Sequence, residues 1–207
     1  MQAQTQWVAT SDQQRLYVKT WGNEANPALV LVHGYPDNQE VWELVIQQLI
    51  QDFYVLSYDV RGAGKSSIPK RIRDYRLEQL SLDLESVVNT VLEDHPFHLA
   101  AHDWGSIQSW ESVTEPKFRG RILSYSTISG PCAFWIRQQF KQNKPRFFKQ
   151  LTKSWYIAVF QLPLLAPVIW TLFTPEKWDK VLQQLEQQKD LPLNSHIAEI
   201  GRASCRE

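Results

Sequence analysis

Hydrophobic and polar positions change period several times along the chain, and each change marks an element. Residues 15–20 alternate polar and apolar, which predicts a half-buried edge strand. Residues 28–33 form a short unbroken apolar run, the pattern of a strand covered on both faces. Gly34-Tyr35-Pro36-Asp37-Asn38 is a turn cluster. Val41, Leu44, Val45 and Leu49 then recur at helical spacing and predict a helix over 41–50. Residues 53–58 read as the next strand, ending at Asp59. Leu77, Leu80, Leu84, Val87, Val88 and Val91 share one face of a longer helix over 77–92. A buried strand over 97–101, a helix opening near Ile107 and a strand over 122–128 complete the pattern, closed by Gly130-Pro131.

Strands alternating with helices imply an α/β class: a mostly parallel sheet with helices on both faces. Sites in such sheets lie at the carboxyl ends of the strands. Those ends read His33-Gly34-Tyr35-Pro36, Asp59-Val60-Arg61-Gly62, Asp103-Trp104-Gly105 and Ser129-Gly130-Pro131, polar and glycine-rich in all four places. After Pro131 no alternating pattern returns. Basic and aromatic stretches at helical spacing, with Phe134, Trp135, Trp155 and Tyr156 among them, predict a helical lid over the strand ends. Its longest apolar stretch, 156–173, is broken by Gln161, Pro163 and Pro167, which predicts two short buried helices and not a membrane span.

Composition narrows the function classes. The chain has 22 Lys+Arg and 22 Asp+Glu, so no net field draws in a nucleic-acid backbone, and nucleic-acid binding is not expected. Nine tryptophans call for a large core or an apolar cavity to line. Two cysteines supply neither a disulfide framework nor a metal cluster, and no metal or cofactor is expected. The start, Met1-Gln2-Ala3-Gln4-Thr5, lacks the basic and apolar regions of a signal peptide, so a cytoplasmic location is expected.

The sharpest chemical signal is Phe97-His98-Leu99-Ala100-Ala101-His102-Asp103-Trp104-Gly105-Ser106, a buried strand, a tight turn and a helix. Small residues stand two before and two after Asp103, as a sharp strand-to-helix turn needs where backbones pass close together. The spacing is that of a nucleophile elbow, with Asp where Ser usually stands. The helix that follows turns its free N–H groups toward the turn, keeping Asp103 ionised and offering the Trp104 N–H to a developing oxyanion. Asp is also a favoured helix N-cap, so the turn alone admits a purely structural reading. The earlier motifs favour catalysis. His33-Gly34-Tyr35-Pro36 follows a buried strand where a second oxyanion donor, the Tyr35 N–H, would stand, and Pro36 fixes that turn with a cis bond allowed.

Gly62-Ala63-Gly64-Lys65-Ser66 resembles the end of a phosphate loop. Such a loop needs Gly five residues before its Gly-Lys pair; Asp59 stands there, and Ile68-Pro69 follows in place of a helix. A turn made rigid by Arg61 contacts is the expected role.

Taken together, these strings resemble the α/β-hydrolase superfamily in its epoxide hydrolase and haloalkane dehalogenase branch. The resemblance runs to about Glu199 and rests on His33-Gly34-Tyr35-Pro36 with Trp42 beyond it, Asp59-Val60-Arg61-Gly62-Ala63-Gly64-Lys65-Ser66 and His102-Asp103-Trp104-Gly105. It implies an α/β-hydrolase core over 1–130 and a helical cap over 131–199. Haloalkane dehalogenases usually carry Asn where Tyr35 stands, and fluoroacetate-type enzymes carry Arg where Trp104 stands, so the epoxide hydrolase form is implied. Trp155-Tyr156-Ile157-Ala158-Val159-Phe160-Gln161 is similar to the cap segment bearing a ring-opening tyrosine, which would be Tyr156. Tyr58 to Gly64 and Asp103 to Glu111 also look like bacterial members fused to a short-chain dehydrogenase.

The resemblance implies a mechanism. Asp103, ionised without help from a base, would open an epoxide to an ester, with Tyr156 as candidate proton donor. Tyr35 and Trp104 N–H groups would stabilise the oxyanion when water hydrolyses the ester, and His33, Gly34, Pro36 and His102 would support the pocket. A small apolar substrate is expected. The family places its activating His after the cap; the five histidines here are His33, His95, His98, His102 and His196, and none fits. A dehalogenase-type hydrolase and a non-catalytic binding domain of the same fold are the alternatives. The segment 200–207 breaks the lid pattern and back-translates to a sequencing-library adapter, so it is expected to be foreign to the fold. On that reading the chain stops in the cap, lacks the last strands, and is expected to be inactive by itself.

Overall fold

The structure, a computed structural model, describes residues 2–132 together with Gln138 and Lys141. Tyr156, His196, the tail 200–207 and nearly all of the expected cap lie outside the described residues.

Among the described residues six strands form one sheet: β1 (Gln4–Ala9), β2 (Arg15–Trp21), β3 (Ala28–Val32), β4 (Tyr54–Tyr58), β5 (Phe97–His102) and β6 (Ile122–Ile128), in the order β1-β2-β4-β3-β5-β6. The β1–β2 and β2–β4 pairs are antiparallel; β4, β3, β5 and β6 run parallel. Every residue of β3 and β4 is buried, which explains their unbroken apolar runs. Helices α1 (Glu43–Leu49), α2 (Leu77–Val91) and α3 (Trp104–Thr114) supply the crossovers between parallel strands. The larger core includes Leu56, Leu84, Val87, Val88, Phe97 and Leu99 with the β1 and β2 residues Val8, Leu16 and Val18. A smaller core on the α1 side joins Trp42 and Ile46 to Trp21, Leu29, Leu31 and Val55. Among the described residues no helix is long and apolar enough to cross a membrane.

Two expectations are corrected. The alternating segment 15–20 is a strand, but β1 covers its flank and is itself the edge. Polar Gln4-Thr5-Gln6 hid β1, in which only Val8 is buried. The helix after the first turn also presents a different face. Val41, Leu44 and Val45 are exposed, whereas Trp42 and Ile46 pack on the sheet. A 3-10 turn over Gln39–Trp42, capped by Asn38 Oδ1 accepting the Glu40 N–H at 2.8 Å, enters the helix with Trp42 inward. Ile46, four residues on, shares that face.

Candidate functional site

β5 and α3 meet at Asp103, whose backbone lies at φ 51 and ψ −124. A residue with a Cβ holds such a conformation only where its surroundings over-determine it, at a cost of about 1–3 kcal/mol. Here they do. A Cβ on Gly105 would stand 2.4 Å from the His33 carbonyl oxygen and 2.5 Å from that of Val32. A Cβ on Gly34 would stand 2.7 Å from the Asp103 Cβ. Ala101, on the other side of the turn, is fully buried. The small residues around Asp103 therefore let β3, β5 and α3 converge, and the convergence lifts the Asp103 carboxylate to the strand ends.

The first turn arrives at the same place. Tyr35 N–H donates to Asp103 Oδ2 at 3.2 Å. The Tyr35-Pro36 bond is cis, and Asp37 N–H closes the turn on the Gly34 carbonyl at 3.1 Å. Trp104 opens α3, so its N–H belongs to the first turn of donors that have no acceptor within a helix. The Tyr35 and Trp104 side chains are both partly exposed at this end of the sheet.

His33 supports the turn and is chemically committed. Its Nδ1 donates to the Gly34 carbonyl at 2.8 Å, and its Nε2 accepts the Val60 N–H at 2.9 Å. Those bonds require the neutral ring, and full burial lowers its pKa. His33 thus joins the ends of β3 and β4, and both ring nitrogens are occupied. His102 is the half-exposed last residue of β5, directly before Asp103.

Asp37 is a site residue to which sequence reasoning gave no role. It is buried, and desolvation pushes its carboxyl up to about 6; the Asp103 charge raises it and His102 lowers it. The available signal was an acid directly after the Tyr35-Pro36 turn.

The phosphate-loop resemblance fails for a structural reason. Asp59 Oδ2 accepts the Lys65 N–H at 2.8 Å, and Oδ1 accepts the Gln39 N–H at 3.0 Å. A Cβ on Gly64 would lie 2.2 Å from Asp59 Oδ2. An internal carboxylate fills the place a phosphate would take. Arg61 anchors the turn as expected: Nε and Nη2 hold Asp83 at 2.6 and 2.5 Å, Nη1 and Nη2 hold Asp12 at 2.9 and 3.0 Å, and Nη1 donates to the Asp74 carbonyl at 2.8 Å. No group of metal-binding side chains occurs among the described residues.

Comparison with known proteins follows the same lines. Residues 27–153 match the family described as alpha/beta hydrolase fold. The chain is 33% identical over 177 residues to a probable oxidoreductase, EphD, of Mycobacterium tuberculosis, a match covering 81% of this chain and 30% of that protein. It is 28% identical over 158 residues to epoxide hydrolase 3 of Xenopus tropicalis, covering 76% and 41% of the two chains. The crystal structure of epoxide hydrolase A from Mycobacterium thermoresistibile superposes with a TM-score of 0.56 at 26% identity, covering 61% of this chain and 39% of that one. The chain spans less than half the length of each of these three relatives.

Proposed function

The chain belongs to the alpha/beta hydrolase fold family, and from that premise we propose that it carries the nucleophile and oxyanion half of an enzyme that opens epoxides to diols. The observation that carries the reading is Asp103 at the tip of the strained turn, with Tyr35 N–H on its Oδ2 at 3.2 Å. A carboxylate is ionised at neutral pH and can attack a saturated carbon directly. Oδ1 attacks an epoxide carbon, the carbon–oxygen bond of the ring breaks, and the leaving alkoxide takes a proton from Tyr156. Oδ2 becomes the ester carbonyl oxygen. It already accepts the Tyr35 N–H, and the Trp104 N–H is the second donor. When water adds at the ester carbon, that oxygen carries the negative charge, so these donors act where charge develops. Collapse releases the diol and restores the carboxylate; of the two protons of the water, one goes to the departing diol oxygen and the other returns to the Tyr156 phenolate. Among the described residues no histidine is assigned as the base that activates this water.

The relatives named as epoxide hydrolases support this substrate class over alkyl halides, as does Tyr35 at the oxyanion turn. Partly exposed Tyr35 and Trp104 favour a small apolar substrate. The parent protein is read as longer. The relative named a probable oxidoreductase, of which the match covers 30%, supports a dehydrogenase domain joined to the hydrolase there.

The test needs only the first half of the reaction. Rapid acid quenching of the parent protein with styrene oxide should trap one epoxide mass at Asp103, and none in Asp103→Asn. In the parent protein, one turnover in 18O-labelled water should place label in the Asp103 carboxylate. Label found in the diol alone would overturn the ester mechanism. Halide release from a chloroalkane with no diol from any epoxide would move the assignment to a dehalogenase.

A further inference from the structure

Ser106 lies three residues past Asp103, fully buried, with its hydroxyl between two strand ends. Its Oγ donates to the Ala101 carbonyl at 2.5 Å and accepts the Ile128 N–H at 3.2 Å. Ala101 stands two residues before Asp103, and the Ile128 carbonyl accepts the Asp103 N–H at 2.9 Å. The single hydroxyl therefore bridges the backbone entering the turn and the β6 residue that holds Asp103 itself. Other groups converge on it. Tyr125 Oη donates to the Ser106 carbonyl at 2.7 Å, and its ring meets Trp110 edge-on with centroids 4.9 Å apart. Trp110 Nε1 donates to the Gly130 carbonyl at 3.2 Å. A Cβ on Gly130 would stand 2.1 Å from the Ser106 Cβ and 2.6 Å from the Asp103 carbonyl oxygen, so the β6 turn is seated directly on this pair.

We infer that Ser106 is a positioning residue: its hydroxyl latches the end of β6 to the β5–α3 turn and so holds Asp103 in its left-handed conformation with Oδ2 on the Tyr35 N–H. Asp103 pays for that conformation through its surroundings, and Ser106 is the buried polar side chain common to both backbones that fix it. Ser109 is the natural contrast. It is buried one turn further on, its hydroxyl donates within α3 to the Gly105 carbonyl at 2.7 Å and lies beside the Tyr125 hydroxyl, but it bridges neither Ala101 nor Ile128, the backbones that Ser106 joins. The geometric claim concerns Asp103 as it stands; its consequence for rate rests on the reading of Asp103 as nucleophile.

Amide hydrogen exchange on the full chain tests the geometry, and alkylation of the parent protein by styrene oxide tests the rate. Ser106→Ala should raise exchange of the Asp103 and Ile128 amides about tenfold, the size expected from losing one buried hydrogen-bonding group. It should slow ester formation at Asp103 by about tenfold, with the dependence on epoxide concentration unchanged. Ser109→Ala should change neither. Tyr125→Phe, which loosens Ser106 but keeps its hydroxyl, should raise Asp103 exchange by about threefold and decides the matter if Ser106→Ala does not fold. Wild-type exchange at Asp103 in both the Ser106 and Tyr125 variants, or in Tyr125→Phe alone where Ser106→Ala is unfolded, overturns the inference. Faster Asp103 exchange in the variants, with no label entering the Asp103 carboxylate of the parent protein in one turnover in 18O-labelled water, overturns the nucleophile reading and leaves the Ser106 latch standing.

Discussion

Tyr35 N–H and Asp103 Oδ2 meet at 3.2 Å across 68 residues of sequence. The contact joins two different strand ends through one backbone donor, so truncating the Tyr35 side chain does not remove it. Gly34 offers a way in. A Cβ there would lie 2.7 Å from the Asp103 Cβ and 2.8 Å from its Oδ2, with the His102 carbonyl also at 2.8 Å. Of these neighbours the Asp103 Cβ and the His102 carbonyl oxygen are fixed to the backbone and cannot swing aside. Gly34→Ala should force the first turn away from Asp103 and withdraw the donor. Hydrolysis of the Asp103 ester in the parent protein, the step in which Oδ2 becomes charged, should slow by about 10²-fold, the usual loss of one oxyanion donor. Single-turnover mass spectrometry checks it; a wild-type rate in a folded variant would remove Tyr35 from the oxyanion hole.

Asp37 should make stability depend on pH in an unusual direction. Its carboxyl titrates near 6 in the folded chain, against the ordinary aspartate value of 3.8. The folded state thus holds its proton more tightly than the unfolded state. The stabilising contribution is present below about pH 3.8 and is lost as pH rises through about 6. Asp37→Asn keeps the shape and removes the titration. It should be more stable than wild type at pH 8, by about 1–3 kcal/mol, with the advantage shrinking toward pH 4. Urea unfolding at both pH values measures this, and an equal difference at the two would exclude Asp37 as the titrating group.

His33 works in the opposite sense. Burial holds its pKa below the ordinary histidine value of 6.5. The stability it contributes is present above about pH 6.5 and is lost as pH falls through its folded pKa. Protonation would set a second N–H against the Val60 N–H that Nε2 now accepts. His33→Gln, which cannot gain that proton, should lose about 1–2 kcal/mol at pH 8 yet lose less than wild type on moving from pH 7 to pH 5. Because Asp37 slopes the other way over part of this window, each effect is read as the difference between wild type and its own variant. A His33→Gln chain that keeps the full wild-type acid sensitivity would rule out His33 as its source.

What could be read along the chain follows from which residues face two buried surfaces. β3 and β4, buried throughout, lie within a residue of their expected bounds, since a run such as Tyr54–Tyr58 admits few other readings; β6, mostly exposed, matches its expected bounds of Ile122–Ile128 because Gly130-Pro131 closes it. Asp103, Tyr35 and Gly34 meet because each follows the end of a buried run. β1 was not legible, because a mostly exposed edge strand carries little hydrophobic signal. The α1 face was misread because spacing shows that Val41, Leu44 and Val45 share a side but not that Trp42 and Ile46 win the sheet. Asp37 and Ser106 act through burial and long-range bonds, which no local pattern encodes.

Arg61 and Asp83 provide the last prediction. The two side chains are 0% and 2% exposed and share a fork of two hydrogen bonds, while Asp12, one-third exposed, holds the outer edge of the guanidinium. Removing one partner leaves a buried charge unanswered, which typically costs about 3–5 kcal/mol. Asp83→Ala should approach that loss. Arg61→Met should cost less in company with Asp83→Leu than alone, because the pair then leaves no buried charge behind. The position also bears on the site. Arg61 sits two residues past Asp59, whose carboxylate orders Gln39 and Lys65, and one past Val60, whose N–H His33 accepts. Asp83→Ala should therefore speed amide exchange at Val60 and Lys65 more than at Leu56 in the middle of β4. Uniform loss of protection along all three would mean that the ion pair supports the fold as a whole and not this turn.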